Sequence, residues 1–382
     1  VGSEMCIRDR AYVDPKFKMP QVWRSNLNVD IQLPYDFMLS VGAMYTRDIY
    51  NVAQINMNEA EPTGVYNEQP DRIYWASKKY EYNDYTNGKN VVVKLSNGED
   101  KGYQYSFNAI LTKKYDFGFT GSIGYTYTMA KDLTANPGSA PNSAWQNNVA
   151  VNSLNDPGVS YSLFSTPHRI IANASYEINY AKCLKTTFSL FYSGYHTGRY
   201  SYTYYNDMNG DGNYSDLIYV PNSQDEMTFV DITDKSGAIT YSAVDQAKDF
   251  WDFVNNDSYL KDRKGKYVER NGSLTPWINR FDFKIAQDFY ATLGGRKYGI
   301  QVSLDMLNVG NMINSKWGAY QSCGLKSYDN VQLLKTASKV GEPLTYQINA
   351  NSREAFKERS SWQYTNTIGS AWSMQLGVKV TF

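Results

Sequence analysis

The stretch WSMQLGVKVTF, residues 372–382, alternates strictly between apolar side chains and polar or small ones. Successive side chains point to opposite faces of an extended strand, so every second residue lies on the same face. One face of this stretch therefore carries only apolar residues, which are Trp372, Met374, Leu376, Val378, Val380 and Phe382. The pattern predicts a β-strand with one apolar and one polar face, and the stretch ends on an aromatic residue.

The same alternation recurs in eight segments upstream, so the sequence predicts nine strands in all. The eight further segments are 26–33, 37–46, 103–111, 117–129, 168–179, 185–197, 280–290 and 298–310. A tilted strand needs roughly 9 to 11 residues to cross a bilayer, whereas strands of soluble proteins centre near about 5 or 6 residues. Most of the predicted strands thus have the length of bilayer-crossing strands.

The connections between these strands alternate between short and long. Four are short, at 34–36, 114–116, 180–184 and 291–297, and four are long, at 51–102, 131–167, 198–279 and 311–370. Loops longer than about 15 residues are uncommon in compact domains, but outer-membrane barrels combine tight turns at one end with long loops at the other. We therefore predict an all-β, transmembrane antiparallel β-barrel with long extracellular loops.

The two faces of the predicted strands suit lipid on one side and water on the other. The polar face is expected to line a water-filled interior with Asn26, Asn28, Asp30, Gln32, Asp282, Lys284, Gln301, Asp305 and Lys379. Aromatic residues near strand ends are expected at the membrane interfaces, namely Tyr45, Tyr125, Tyr127, Tyr192 and Tyr195. Nine is an odd number, whereas bacterial single-chain barrels have even strand numbers, so we expect further strands upstream.

The composition argues against several other classes of protein. Lys plus Arg and Asp plus Glu both number 38, so the formal charge is zero, which argues against a nucleic-acid partner. Only two His are present, and neither G-x-S-x-G nor H-E-x-x-H occurs, so we predict that the chain is not an enzyme. The sequence also lacks the run of about 18 apolar residues that would predict a transmembrane helix.

Five segments resemble the barrel of a known receptor family. They are Phe17–Pro34, Thr166–Ile178, Leu190–Tyr202, Asp207–Pro221 and Ser303–Gly318. These segments look like the C-terminal barrel of Bacteroidetes TonB-dependent outer-membrane receptors, with the Oar-like subgroup nearest and the SusC-like glycan importers related. The resemblance covers residues 11–382. It implies a 22-stranded barrel with a plug domain inside, to which this chain contributes about nine strands.

The resemblance implies a receptor and transporter in the outer membrane of a Gram-negative cell. Such receptors take up a large nutrient, for example an oligosaccharide, a peptide or a chelate. Their uptake is driven by the TonB complex, which would act through an N-terminal part that this sequence does not include. Outer-membrane lipid, the barrel-assembly machinery and a surface lipoprotein are the other implied partners. The alternatives are a passive porin or adhesin-type barrel, and a secreted β-rich glycan-binding protein.

The first ten residues, VGSEMCIRDR, do not continue into the pattern that follows. They resemble translated read-through from a sequencing adapter, and we predict that residues 1–10 are a non-native segment that should be left out of fold reasoning. Residues 11–382 are then assigned to a C-terminal portion of the barrel.

Two sets of residues are candidate recognition elements. Aromatic residues outside the predicted strands are candidates for stacking on a ligand, with packing as the alternative: Tyr200, Tyr202, Tyr204, Trp251 and Trp277. The alternating row from Trp372 to Phe382 resembles the signal by which the barrel-assembly machinery recognises its clients. A soluble edge strand that happens to end on a Phe is the alternative for that row.

One motif points to a metal ion, and no other cofactor is expected. The motif reads D-x-N-x-D-G and opens like a calcium loop, with Asp216 close behind it. The candidate ligands are Asp207, Asn209, Asp211 and Asp216. Ile218 occupies the twelfth position, where a calcium loop carries a bidentate Glu, so the motif is incomplete. A tight turn is the alternative, because Asp, Asn and Gly dominate turns for local reasons.

Overall fold

The computed structural model describes residues 10–82, 90–323, 326–327, 330–349, 362–365 and 367–382. Nine long strands, labelled β1 to β9 in chain order, form its main sheet. Their bounds are Gln21–Leu33, Phe37–Tyr50, Tyr103–Lys114, Phe119–Asp132, His168–Tyr180, Leu184–His196, Trp277–Leu293, Arg296–Leu307 and Ser373–Thr381. Each of the nine predicted segments therefore coincides with one strand of this sheet.

Each long strand pairs antiparallel with the strands before and after it in the chain. The order across the sheet is therefore β1 to β9, with β1 and β9 as its edges. Among the described residues these two edge strands do not pair with each other, so the sheet is open and no closed barrel is found. The chain is mostly β with antiparallel sheets, and that part of the predicted fold class is confirmed.

Four short turns join β1 to β2, β3 to β4, β5 to β6 and β7 to β8. The last of these turns consists of Gly294 and Gly295, with φ of 59° and 79°. Two-residue hairpins favour this left-handed backbone, which glycine adopts without strain. Tyr35–Asp36 and Ala181–Lys182 take the same left-handed conformation without glycine. Because these turns lie at one end of the sheet, all four long loops leave from the other end.

The register of the sheet brings the apolar residues of all nine strands onto one face. One row across it consists of Leu39, Leu111, Ile123, Ala172, Tyr192 and Phe281. Another consists of Phe188, Ile285, Leu304 and Leu376. A slip of one residue between two strands would exchange the two faces. The described pairings among the nine long strands contain one shift, at the start of β1, so the apolar face stays continuous.

The long loops run over 51–102, 133–167, 197–276 and 308–372, and we call their described residues together the loop body. The helices are α1 (Pro141–Gln146), α2 (Ala243–Asn256) and α3 (Val309–Ile313), and 3-10 turns span Pro34–Asp36, Gln224–Glu226 and Leu260–Arg263. The short strands, including one before β1, are Arg10–Val13, Ala53–Asn56, Gly64–Val65, Ile73–Tyr74, Val92–Ser96, Ser160–Tyr161, Arg199–Tyr204, Tyr219–Val220, Ile232–Thr233, Ile239–Tyr241, Lys266–Tyr267, Ser273–Leu274, Gln321–Cys323, Lys326–Ser327, Asn330–Thr336, Tyr346–Ile348 and Trp362–Tyr364.

The main hydrophobic core lies in the loop body and not on the sheet. Its fully buried members come from two different loops and include Tyr202, Val254, Leu260, Leu334 and Ile348. Strand pairing holds these loops together, because Arg199–Tyr204 runs parallel to Asn330–Thr336 and pairs with it. A first loop joins them through Gln69, whose amide donates to the hydroxyls of Tyr204 and Tyr346, both at 2.9 Å. The loops thus fold as one packed unit above one end of the sheet.

Candidate functional site

The apolar face of the sheet is open over much of its area. Leu376, Val378 and Val380 on β9 are 60–72% exposed, Leu27 on β1 is 68% exposed, and Ile123 on the central strand β4 is 54% exposed. Monomeric soluble proteins rarely expose a contiguous apolar patch larger than a few hundred Å². The described residues supply no cover for this face, so it is the surface of the molecule that most requires a partner of apolar chemistry.

Aromatic residues border the apolar face at both ends. At the loop end, the rings of Trp23 and Tyr45 lie 6.1 Å apart, and those of Tyr105 and Tyr127 lie 6.2 Å apart. At the turn end, Phe117 packs at 6.3 Å from Phe119 and 6.2 Å from Tyr176. Along β4, Tyr127 and Phe119 are eight residues apart, which is about 26 Å at the rise of an extended strand. The two aromatic borders are thus separated along this strand by a distance of the same order as the apolar band of a membrane barrel, which is about 25 Å.

The predicted interfacial tyrosines divide between the two faces. Tyr45, Tyr125, Tyr127 and Tyr192 lie on the apolar face, each in a different cross-strand row. Tyr195 lies on the opposite face, where its ring sits 5.9 Å from the Arg169 guanidinium. Tyr195 therefore does not border the apolar face, although it lies near a strand end.

The opposite face carries the polar residues that were expected to line an interior. Lys284 and Asp305 form an ion pair of 2.8 Å on this face, and Gln301 donates to Asp288 at 2.8 Å. On the first hairpin, the Ser40 hydroxyl donates to Asp30 at 2.5 Å. The nine predicted interior residues share this face by register: Asn26, Asn28, Asp30, Gln32, Asp282, Lys284, Gln301, Asp305 and Lys379. Both signs of charge are present, which suits contact with water.

Three of the five candidate stacking residues are core residues of the loop body. Tyr200, Tyr202 and Tyr204 are at most 3% exposed, on a strand that is buried on both faces. The Tyr202 hydroxyl donates to the Asp257 carboxylate at 2.7 Å, and burial raises the pKa of Tyr202 well above its ordinary value. Rings enclosed in this way are closed to a ligand, so the structure corrects the stacking role predicted for these three tyrosines.

The other two candidate stacking residues are partly exposed. The Lys264 amine lies 4.5 Å from the centre of the Trp251 ring, on the surface of α2. Trp277 begins β7 and packs edge-on against His196, with their ring centres 5.0 Å apart. Trp277 therefore belongs to the loop-end aromatic border of the apolar face, whereas Trp251 belongs to the loop body. A ligand role for these two tryptophans stays a prediction.

The D-x-N-x-D-G motif folds as a tight turn whose oxygens accept main-chain hydrogen bonds. Asp207 accepts from the N–H groups of Gly210 at 2.8 Å and Gly212 at 2.9 Å. Asn209 accepts from the Asp211 N–H at 3.0 Å. Gly210 and Gly212 have φ of 83° and 96°, a conformation that favours glycine. These bonds match the turn alternative stated for the motif.

The carboxylates of this turn are buried and close to one another. Asp211 and Asp216 are 4% and 3% exposed. Burial raises the pKa of Asp216 to about 7, although the Arg72 guanidinium lies 3.5 Å away and lowers it. Burial and then the neighbouring charges of Asp216 and Asp207 raise the pKa of Asp211 well above its ordinary value. In the described part of the chain, no group of three or more His, Cys, Asp or Glu side chains is arranged to hold a metal ion.

Arg72 is a buried hub that the sequence did not reveal. Its side chain is fully buried and donates to the main-chain carbonyls of Val151 and Leu217, which belong to two other loops. Its guanidinium also bonds Gln69 at 3.2 Å and lies 4.8 Å from the Tyr267 ring. A single Arg in a polar loop has no sequence pattern that would have identified it. Arg72 ties three of the four loops together.

The carboxyl-terminal row lies on one side of its strand and is open. Its members run from the residue before β9 to the residue after it, and the exposed fractions range from 44% to 94%. They are Trp372, Met374, Leu376, Val378, Val380 and Phe382. A row hidden between two packed sheets would have indicated a soluble sandwich, and the structure does not bury it. Recognition of the row by an assembly machinery stays a prediction.

No family model, curated protein or solved structure matches the chain. Within the described ranges, no helix has both the length and the apolar character to cross a membrane. Inference about function therefore depends on the two faces of the sheet and on the loop body. One face of the sheet is apolar and the other is polar, and the loop body has a hydrophobic core and cavities.

Proposed function

We propose that this chain is part of the β-barrel of an outer-membrane receptor that takes up a large nutrient, in the manner of the TonB-dependent receptors it resembles. The observation that carries the proposal is the continuous, exposed apolar face of the nine-stranded sheet opposite a face of mixed charges. Lipid is the cover that this face fits, because burying one large aliphatic side chain contributes about 1.5–3 kcal/mol. The polar face would then border water.

The open edges of the sheet support the same proposal. An unpaired strand edge in lipid costs several kcal/mol for each unsatisfied backbone group. The free edges of β1 and β9 would therefore have to pair with further strands, as closure of a larger barrel provides. The 22-stranded size and the plug are proposals that come from the resemblance alone.

The loop body supports a receptor in preference to a simple pore. Its loops pack together over one end of the sheet, around a shared core that includes Tyr66, Val149, Tyr204 and Leu334. A rigid assembly of this kind can present a fixed binding surface, whereas loops on their own would lose conformational entropy on binding a ligand. Energy coupling through TonB, assembly by the barrel machinery and contact with a surface lipoprotein belong to the proposal and rest on the resemblance.

The test is to express the chain with its natural upstream sequence and to follow its partition between membrane and water. We expect the protein to require detergent for extraction, to float with lipid vesicles, and to change mobility on gels when heated. Recovery in the aqueous fraction without detergent would contradict the proposal and favour a secreted β-rich protein. A steady, unselective conductance in planar bilayers would favour the passive porin.

A further inference from the structure

A cavity of about 550 Å³ lies where the first two long loops meet the segment before β1. Its walls come from the paired strands Val92–Ser96 and Ala53–Asn56, from residues 14–17 before β1, and from α1 and the residues after it. This volume lies within the range of small-molecule sites, about 300–1,000 Å³. None of the sequence predictions concerned this region.

The floor of the cavity is apolar and fixed in place. Trp145 and Leu154, each 2% exposed, belong to a small separate core, and Leu133 is 6% exposed beside them. The Trp145 indole N–H donates to the Asn155 side-chain oxygen at 3.0 Å, which holds the ring in one orientation. This floor offers a rigid contact for the hydrocarbon part of a ligand.

The inner wall carries a mostly buried polar side chain with no hydrogen-bond partner. Asn148 is 6% exposed and lines the cavity, and its side-chain amide forms no hydrogen bond with any residue that the structure describes. Gln54, also on the lining, is 8% exposed and donates its amino group to the side-chain oxygen of Asn136. Buried polar groups are normally paired, so Asn148 points to a ligand that has a polar group of its own.

The mouth of the cavity has an excess of negative charge. Glu99, Asp100 and Asp156 line it, and none of them forms an ion pair with any residue that the structure describes. Of the two lysines on the lining, Lys94 is already paired with Asp14 at 3.7 Å. The field at the mouth therefore attracts cations and repels anions.

We propose that this cavity binds a small organic cation, a primary ammonium group attached to an apolar body, such as the amino end of a short peptide. The ammonium would lie at the carboxylates and at the Asn148 side-chain oxygen, and the apolar body would contact Leu133, Leu154 and the edge of Trp145. The inference depends on the proposed function only for its meaning as a capture site for an imported nutrient. The cavity and its charges do not depend on a membrane.

The ligand test uses the full chain in detergent and compares two peptides, one with a free amino terminus and one whose amino terminus is acetylated and uncharged. Calorimetric titration should show saturable binding of leucyl-glycinamide and at least tenfold weaker binding of its N-acetyl form. Binding should weaken as salt rises, because exposed charges are screened. Equal binding of both peptides, preferential binding of maltotriose or of citrate, or no binding of any of these probes would overturn the proposal.

Matched variants test whether the binding is in this cavity. Asn148→Leu and Glu99→Gln should each weaken leucyl-glycinamide binding by at least fivefold. The controls should leave it unchanged: they are Gln146→Leu, two residues before Asn148 but off the cavity lining, and Asp225→Asn, an exposed carboxylate elsewhere. Ser96→Ala removes only one hydroxyl from the wall and should weaken binding without unfolding the protein. Unchanged binding in Asn148→Leu and Glu99→Gln would overturn the assignment.

Vesicle flotation of the same samples separates this inference from the proposed function. Peptide binding without flotation would retain the cavity and remove the membrane role. Flotation without peptide binding would retain the membrane role and overturn the assignment of the cavity as a binding site.

Discussion

The sheet and the loop body bury their side chains in opposite ways. In the loop body, Phe250, Leu260 and Leu334 are at most 1% exposed. On the sheet, Leu376 and Leu27 are 72% and 68% exposed, although they belong to a regular apolar row. The loop body thus contains its own apolar interior, whereas the sheet presents its apolar residues to the outside. This difference indicates that the two regions are stabilised by different surroundings.

Polar residues in the loop body also differ from polar residues on the sheet in how far they are buried. In the loop body, Arg72 is an enclosed polar residue that is held by hydrogen bonds to carbonyls of two loops. On the sheet, Lys284 and Asp305 form an ion pair, yet their side chains are still 44% and 30% exposed. The stability of a region that is held by internal packing and hydrogen bonds should change strongly when a core residue is replaced or when the pH changes. A region that relies on lipid should respond to charges placed on its apolar face.

The largest expected effect is the loss of a buried ring in the loop body. Phe250→Ala should lower the free energy of unfolding by about 3–5 kcal/mol, because it leaves a cavity in a packed core. Leu27→Ala is the matched control on the sheet, where the residue is 68% exposed and has few neighbours to lose. Denaturant unfolding followed by tryptophan fluorescence measures both. Equal losses in the two variants would contradict the division into two regions.

A charge on the apolar face should have the next largest effect. Leu376→Arg should cost about 2–4 kcal/mol in a bilayer if the residue lies near its centre, whereas Gln375→Arg, on the opposite face of the same strand, should be mild. In water, both substitutions on this exposed strand would be nearly neutral. Folding yield and unfolding free energy in lipid vesicles measure the difference. Equal tolerance at the two positions would argue against a lipid-facing row.

A pH effect should be confined to the loop body. Burial raises the folded-state pKa of Asp216 to about 7, above the value of an unfolded Asp, so ionisation opposes folding. The contribution of this group is most favourable below about pH 4 and is lost as the pH rises toward 7. The Tm of the parent should therefore fall between pH 5 and 8 relative to that of Asp216→Asn, by a few degrees, since 1 kcal/mol corresponds to about 2–4 °C. Parallel pH profiles would show that Asp216 does not titrate in this range.

The smallest expected effect concerns the predicted calcium ligands Asp207, Asn209, Asp211 and Asp216. Their oxygens already accept main-chain hydrogen bonds, so Asp211→Asn, which removes a buried charge, should leave the Tm unchanged or raise it slightly. Millimolar Ca²⁺ should leave the Tm of the parent unchanged. A rise in Tm with Ca²⁺ that disappears in Asp211→Asn would instead establish a calcium site, because an ion that binds only the folded state stabilises it.

The strands of the sheet could be predicted because their signal is local. Alternation over ten residues, as in Phe37–Thr46, depends only on which face each side chain takes. The ends of the strands depend on pairing and are harder to predict. For example, β7 begins at Trp277, three residues before the predicted start, because its first residues continue the pairing with β6. The turn conformations at Tyr35–Asp36 and Ala181–Lys182 could not be predicted, since neither pair has the glycine that usually marks a left-handed turn.

The loop body could not be predicted because its contacts are distant in sequence. Tyr66, Tyr204 and Leu334 lie in three different loops and share one core. The segment YSYTY, residues 200–204, alternates tyrosine with small polar residues. That alternation predicts a strand with all three tyrosines on one face, and an apolar face of this kind is commonly buried. The cavity beside Trp145 likewise depends on three separate segments, so no motif marked it.

Spin-label scanning along β9 tests the central claim most directly. Each residue from Ser373 to Thr381 is replaced in turn by a labelled Cys, with Cys6, Cys183 and Cys323 changed to Ser, and the protein is reconstituted in vesicles. We expect accessibility to oxygen and to a water-soluble nickel chelate to alternate with a period of two, with oxygen favoured at Met374, Leu376, Val378 and Val380. Exclusion of both reagents from those positions would place protein, not lipid, over the apolar face and contradict the account.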